Sequence, residues 1–320
     1  MPQARRSLCD DAALKPMKTE DTHQEHTIRG MLAAVGAMFM FSVMNAIAKY
    51  LSAQHSIFEI AFYRNVIGCL PFLAFAFFFG RRDILRIRSK PYHVAARALF
   101  GSASLIVTFG AYSRMPMAET SVLLFTASLW IPVFGVFLLH EKVGPFRWSA
   151  VVVGFIGVAV MLKPAGEISH VGVILALIAA VLQASMSIML RHLGSHERPE
   201  TTSFYFFLIG IVVTGPIMPF VATLPAPGEL PLLVAIGLAG AMAQWLYSIA
   251  LKNTAAAIVA VCNYTMIIWS MAFGWLIWND FPLPIVMLGT AVIISANLLI
   301  VWRESRLQRA RALAASELAE

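Results

Sequence analysis

Charged side chains are scarce in this chain. Aspartate, glutamate, lysine and arginine make up 13% of its 320 residues, whereas 59% of the residues are hydrophobic and the mean hydropathy is +0.76. A soluble domain needs more charge than this to cover its surface. A lipid bilayer is the solvent that suits such a composition. At about 20 mostly apolar residues per span, the length predicts an all-α integral membrane protein with about ten transmembrane helices.

Cysteine is also rare. Cys9, Cys69 and Cys262 show neither the spacing of a metal site nor that of a disulfide framework. Residues 1–29 are polar and lack the apolar stretch that a cleavable signal peptide requires. The sequence therefore predicts no metal, no cofactor and no secretory leader.

Ten apolar stretches account for most of the chain. Because backbone polar groups in lipid must pair within their own segment, these stretches are expected to be helices. A β-barrel would alternate apolar and polar residues, and these stretches do not alternate. They run approximately over residues 30–51, 57–80, 93–113, 117–139, 146–162, 171–190, 202–223, 231–251, 255–278 and 283–302.

The basic residues predict the orientation. If the N-terminus is cytoplasmic, 20 of the 24 lysine and arginine residues, Arg97 included, belong to the cytoplasmic side, and only Arg114 and Lys163 lie opposite. The positive-inside rule then predicts a cell inner membrane protein with both termini in the cytoplasm and an even number of spans. The same rule explains the net charge of +7 without nucleic acid as a partner.

An internal repeat divides the chain. A shift of 139 positions, the separation of Trp130 and Trp269, also places Phe134 on Phe273 and Gly135 on Gly274. Each half holds five spans, and because five is odd, the halves are expected to insert with opposite orientation, as in many transporters. The predicted units are a polar tail (1–29), two inverted five-helix repeats (30–164 and 165–302) and a basic tail (303–320).

Residues 111–164 carry an ordered set of features. "MAET" opens the fourth span, Pro132 and Glu141 follow, and a glycine-containing fifth span ends in Lys163-Pro164; "FYRN" at Phe62–Asn65 lies in the second span. Over residues 30 to 302 the chain resembles the EamA family of the drug/metabolite transporter superfamily. One departure is Asn279-Asp280, which stands where an acidic mate of Glu141 is usual.

The resemblance implies an alternating-access carrier of a small organic metabolite. Its nearest subgroup takes up vitamins, nucleoside-like or amino-acid-derived compounds such as riboflavin or S-adenosylmethionine. Export of amino acids, metallophores or drugs is the alternative. The expected partners are the solute and the lipid bilayer, and a homodimer stays open.

A few ionisable residues fall within the spans, where they are costly and often functional. Arg64 lies about 10 Å into its span at 1.5 Å per residue. It is expected to bind an anionic group of the substrate, to pair with Glu59 or Glu119, or to snorkel. Lys49, Glu59 and Glu119 are predicted to form a charged outer mouth with Arg64 and Arg114. The two glutamates, in helix first turns favoured by the dipole, are the expected proton sites.

Uncharged polar and aromatic residues complete the candidates. A pocket for a small metabolite needs aromatic walls and a few polar anchors. The alternative role for such residues is hydrogen bonding between helices. The candidates are Asn45, Tyr112, Trp130, Gln244, Tyr247, Asn263 and Trp269.

Two other functional classes are disfavoured. The eight histidines fall in loops, in the tail or at span ends, and no catalytic sequence motif is present, which argues against a membrane enzyme. The sequence also lacks the acidic ring or carbonyl filter of an ion channel.

Overall fold

A computed structural model describes residues 15–88, 91–139, 144–162, 169–193, 199–223, 225–254 and 256–317. Glu141 and the start of the predicted polar tail lie outside these ranges. Helices dominate the described part, with short 3-10 turns at Arg82–Leu85 and Gly215–Ile217. The helices are α1 (Lys15–Leu51), α2 (Ile57–Phe78), α3 (Pro91–Tyr112), α4 (Met117–Leu124), α5 (Ala127–Leu139), α6 (Pro145–Leu162), α7 (His170–Leu193), α8 (Pro199–Thr214), α9 (Met218–Val221), α10 (Leu230–Asn253), α11 (Ala256–Asn263), α12 (Thr265–Trp278) and α13 (Pro284–Glu317).

The membrane class predicted from composition is confirmed. Within the described ranges, nine helical stretches are long and apolar enough to cross a membrane, and Trp148–Met161 forms a shorter apolar helix. These ten stretches correspond to the ten predicted spans. Many large apolar side chains stay exposed on the outside of the bundle, among them Phe78 and Leu276. Such an extensive apolar surface is unfavourable in water, whereas lipid tails can cover it.

Several boundaries differ from the prediction. Helix α1 begins at Lys15, so residues 15–29 of the predicted polar tail continue the helix of the first span. The seventh span ends its regular helix at Thr214, and Pro216 and Pro219 follow in a 3-10 turn and in α9. A proline lacks the backbone N–H that a helix interior uses, so a single uninterrupted helix is disfavoured there. The fourth and ninth spans are each divided into two helices.

Helices of one half pack mainly against helices of the other half. The principal pairs are α1 with α10, α3 with α7 and α6 with α13. Small residues permit the last contact: a Cβ added at Gly289 in α13 would lie 2.7 Å from the carbonyl oxygen of Gly157 in α6. Small residues at contacts between membrane helices permit such a close approach of two backbones.

Candidate functional site

The divided fourth and ninth spans break in the same way. Thr126 in the first break donates its hydroxyl to the Leu123 carbonyl at 2.6 Å, and Thr265, which directly follows the second break, donates to the Cys262 carbonyl at 2.7 Å. A hydroxyl bonded to the preceding turn competes with the helical backbone ladder. The two threonines are 139 positions apart, which is the predicted repeat shift, so both halves interrupt their helices at equivalent positions.

The two breaks meet inside the bundle. The rings of Phe125 and Tyr264, which stand at the breaks, are 5.1 Å apart between centroids. The Tyr264 hydroxyl also interacts with the side chain of Asn297 on α13, and that side chain accepts a hydrogen bond from Ser128. Broken helices that meet at the interface of two repeats are the usual setting of a transporter substrate site.

A chain of hydroxyls links four helices near these breaks. Tyr112 on α3 and Ser121 on α4 share a hydrogen bond of 2.8 Å, and Ser121 donates to Ser270 on α12 at 2.7 Å. Asn45 on α1 interacts with the same tyrosine hydroxyl. All four side chains are buried. The fold thus brings the predicted candidates Asn45 and Tyr112 together with Ser270, and adds Ser121, which sequence reasoning did not single out.

The predicted candidates Trp130 and Trp269 occupy equivalent positions, each four residues after a break threonine. Trp130 meets the ring of Phe155 edge-on at 5.2 Å, and Trp269 meets Phe39 edge-on at 5.0 Å. Each indole N–H is buried without a hydrogen-bond partner among the described residues. A buried donor without a partner is costly, so each N–H could donate to a bound solute.

Arg64 is almost completely buried, with 1% of its surface exposed. It donates to the Asn65 side chain at 2.8 Å, and its guanidinium carbon lies 4.6 Å from the centroid of the Phe207 ring and 5.2 Å from that of Phe206. Neither Glu59 nor Glu119 forms an ion pair with it in the part of the chain that the structure covers. The predicted pairing with these glutamates is therefore wrong, and the substrate interpretation of Arg64 stays a prediction.

Three further candidates lie on α10 and α11. Tyr247 on α10 interacts with Asn263, the last residue of α11, and with Arg97 on α3. Gln244 is half-buried one turn earlier on α10. Sequence reasoning counted Arg97 among the cytoplasmic basic residues, whereas the structure places it in the second turn of α3. Its position inside an apolar stretch was the signal that could have identified it.

Lys49 forms the centre of an ionic layer at the outer end, the end of the bundle that carries residues 52–56 and 279–283. Its ammonium group donates to the Met115 carbonyl at 3.1 Å, lies 3.4 Å from Asp280, and is 4.7 Å from the centroid of the Trp278 ring. Asn279 ends α12 with a left-handed φ of 58°, a conformation that asparagine tolerates well. This turn brings Asp280 to Lys49.

Glu119 and Glu59 lie in different clusters. Glu119 interacts electrostatically with Lys49 and Asp280. Glu59, fully buried, lies 3.2 Å from His55, and the other ring nitrogen of His55 lies 3.0 Å from Glu229. Arg114 is exposed and donates to the Gly110 carbonyl. Glu59 and Arg64 have direct partners other than Lys49, and the single charged mouth stays a prediction.

The His55 cluster lies in the loops and has perturbed acid–base properties. Burial lowers the pKa of His55, but its hydrogen bonds to Glu229 and Glu59 outweigh burial, so its pKa is raised above the usual value. The hydrogen bond from His55, with that from the Ala226 backbone, lowers the pKa of Glu229. When it is protonated, the His55 ring can donate from both nitrogens and so join three outer segments, around residues 55, 223 and 229.

Comparison with known proteins identifies the family. The model of the EamA-like transporter family matches residues 28–163 and again residues 170–302. A pseudopaline exporter of Pseudomonas aeruginosa is 29% identical over 83% of this chain and 94% of its own length. A riboflavin transporter of Vibrio cholerae is 27% identical over 91% of this chain and 99% of its own.

Two further matches agree with this assignment. An S-adenosylmethionine uptake transporter of Rickettsia conorii is 28% identical over 83% of this chain and 90% of its own length. A solved crystal structure, 19% identical, superimposes with a TM-score of 0.61 over 89% of this chain and 99% of that chain, which shows the same fold. This multi-pass membrane protein belongs to the EamA-like transporter family, whose members named here transport small metabolites.

Proposed function

We propose that the chain is a secondary transporter that moves one small organic metabolite across a bacterial inner membrane by alternating access, with both termini in the cytoplasm. The substrate class is a vitamin, a nucleoside-like compound or an amino-acid derivative. Riboflavin and S-adenosylmethionine, the solutes of two relatives, are the first compounds to test. Uptake is the proposed direction.

One observation carries this proposal. Two helix breaks with the same threonine hydrogen bond meet at Phe125 and Tyr264, and they are separated by the repeat shift. In inverted-repeat carriers, the two halves rock about such a meeting point and expose the solute to each side in turn. The indole donors of Trp130 and Trp269 would then hold the solute from the two halves.

Export, the opposite direction of transport, also has support. The pseudopaline exporter is as similar to this chain as the uptake transporters are, at 29% against 27% and 28% identity. Export is therefore the alternative. Catalysis and channel conduction are not proposed, because the named relatives are transporters and the sequence contains no motif for either activity.

Counterflow in proteoliposomes tests the proposal. Vesicles that contain the purified chain are loaded with unlabelled riboflavin or S-adenosylmethionine, and entry of the labelled compound is followed. We expect saturable accumulation of one compound. Steady ionic current across a planar bilayer, or an absence of counterflow with every metabolite of the proposed classes, would overturn the proposal.

Conservative tryptophan variants test the site. Trp130→Phe and Trp269→Phe keep an aromatic ring but remove the N–H, so each should weaken transport roughly fivefold, the value of one neutral hydrogen bond. Trp245→Phe is the matched control, because Trp245 is half exposed on the outside of α10. If all three variants transported equally well, the indole N–H groups of Trp130 and Trp269 would not bind the solute. Right-side-out and inverted vesicles then separate uptake from export.

A further inference from the structure

Two arginines lie inside the helical spans without an acidic partner. Arg64 belongs to α2 and Arg97 to α3. Among the residues that the structure describes, no carboxylate forms an ion pair with either guanidinium, and the Nε of each is buried without a hydrogen-bond acceptor. A guanidinium does not lose its proton in proteins, so both sites stay positively charged.

Arg97 is the more accessible of the two. It is half-buried, and by rise per residue it lies about 9 Å into its span. Its Nη1 donates to the Thr202 carbonyl on α8 at 3.5 Å, which is a long bond to a neutral acceptor. The Tyr247 hydroxyl on α10 interacts electrostatically with Arg97 and is hydrogen-bonded to the side chain of Asn263 on α11, whose oxygen has no partner in the described part of the chain.

Arg64 approaches the same two helices nearer the outer end. On α8 it contacts Phe206 and Phe207, one turn after the Thr202 carbonyl that Arg97 contacts. On α10 it passes Gly240, where an added Cβ would lie 2.9 Å from its Nε. Tyr247 lies two turns further along α10. The two guanidiniums therefore occupy consecutive levels between α8 and α10.

Burying Arg64 and half-burying Arg97 without a carboxylate partner carries a desolvation cost that an anion between these helices would offset. The planar guanidinium fork suits carboxylate and phosphate oxygens. We propose that Arg97, with Tyr247 and Asn263, binds a phosphate or carboxylate group of the transported solute, and that Arg64 is the next level of the same anion path. This inference rests on the proposed transport function and specifies its substrate class as anionic or zwitterionic.

An anionic lipid headgroup offers the same chemistry, so the experiment separates the two sources. The full chain is placed in nanodiscs of phosphatidylcholine alone, and thermal unfolding is followed by intrinsic fluorescence in sodium phosphate and in sodium chloride of equal ionic strength. A second set of nanodiscs contains phosphatidylglycerol. Riboflavin and riboflavin 5′-phosphate form a matched pair of solutes that differ only in the phosphate group.

We expect inorganic phosphate to raise the unfolding temperature in phosphatidylcholine nanodiscs through binding to the folded state. Arg97→Gln should weaken this binding roughly tenfold or more, because it removes charge-assisted hydrogen bonds. Arg97→Lys keeps the charge but loses the planar fork, so its phosphate affinity should lie between those of the wild type and Arg97→Gln. Arg114→Gln, at an exposed outer arginine, is the matched control and should retain the full shift. Riboflavin 5′-phosphate should bind more tightly than riboflavin.

Three results would overturn the inference. One is a phosphate shift that persists in Arg97→Gln and Arg97→Lys. Another is the absence of any shift with phosphate or with riboflavin 5′-phosphate. The third is stabilisation by phosphatidylglycerol alone, which would assign the site to lipid. If phosphate binds through Arg97 while no metabolite shows counterflow, the anion site stands and the transport proposal fails, so the two failures are distinguishable.

Discussion

Glu59 and Glu119 occupy matching places in the sequence, yet their surroundings in the fold are opposite. Each lies in the first turn of a helix, where the dipole favours a carboxylate. Glu59 is bonded to His55 and to the hydroxyl of Thr223. Glu119 is buried too, but its Oε2 has no hydrogen-bond partner within the described ranges.

The difference arises from segments that are distant in sequence. His55 precedes Glu59 by one turn, and Thr223 and Glu229 reach this region from beyond α9. Beside Glu119, Lys49 and Asp280 pair with each other instead. One carboxylate therefore fastens the outer segments together, whereas the other keeps one oxygen without a hydrogen-bond partner in the described part of the chain. The comparison favours Glu119 over Glu59 as the mobile coupling group.

The largest expected effect is on stability at Glu59. Glu59→Ala removes one partner of a buried pair and should lower the free energy of unfolding by about 3–5 kcal/mol at pH 6. Glu119→Ala is the matched control and should cost less, because no bonded partner is left behind. Thermal unfolding of purified protein in one detergent measures both. Equal losses in the two variants would contradict the assignment of Glu59 as the fastened carboxylate.

A smaller effect is expected from pH. The raised pKa of His55 means that its stabilisation is complete below the unfolded value, about 6.5, and is lost as pH rises through the folded value. The lowered pKa of Glu229 means that its contribution is complete above about 4.3 and is lost as pH falls through its folded pKa. The cluster should therefore be most stabilising between about pH 4.3 and 6.5.

Unfolding temperatures measured from pH 5 to pH 9 test this dependence. The wild-type chain should lose stability as pH rises through the raised pKa of His55, and Glu229→Gln should flatten that slope because His55 loses an acceptor. Asp280→Asn, outside this cluster, should keep the slope. If Glu229→Gln kept the wild-type slope, the pH dependence of stability would not come from the His55–Glu229 contact.

The smallest effect concerns the Lys49–Asp280 pair. Asp280 is 39% exposed and the two atoms are 3.4 Å apart, so Asp280→Asn should change the free energy of unfolding by less than about 1 kcal/mol. Lys49 would then have Glu119 as its remaining nearby carboxylate. Glu119→Gln should cost more in the Asp280→Asn background than in the wild type, and a double-mutant cycle measures that coupling. Strict additivity would show that Glu119 does not respond to Lys49.

Composition and pattern determined the membrane class of this protein. Lipid leaves no alternative to internally bonded backbone, so apolar stretches of this length must be helices, and their number follows from the hydropathy. The shift of 139 positions that relates Trp130 to Trp269 also relates the break threonines Thr126 and Thr265. Family features such as "MAET" and Pro132 lie in sequence order and need no tertiary information.

Only the tertiary structure decided how the polar side chains are used. Tyr112, Ser121 and Ser270 form one chain of hydroxyls although 149 positions separate Ser121 from Ser270. Glu59 and Glu119 look alike locally until distant segments supply or withhold their partners. The physical reason is that hydropathy is a local property that each segment satisfies alone, whereas buried charges and hydroxyls are satisfied by groups that the packing of distant segments brings to them.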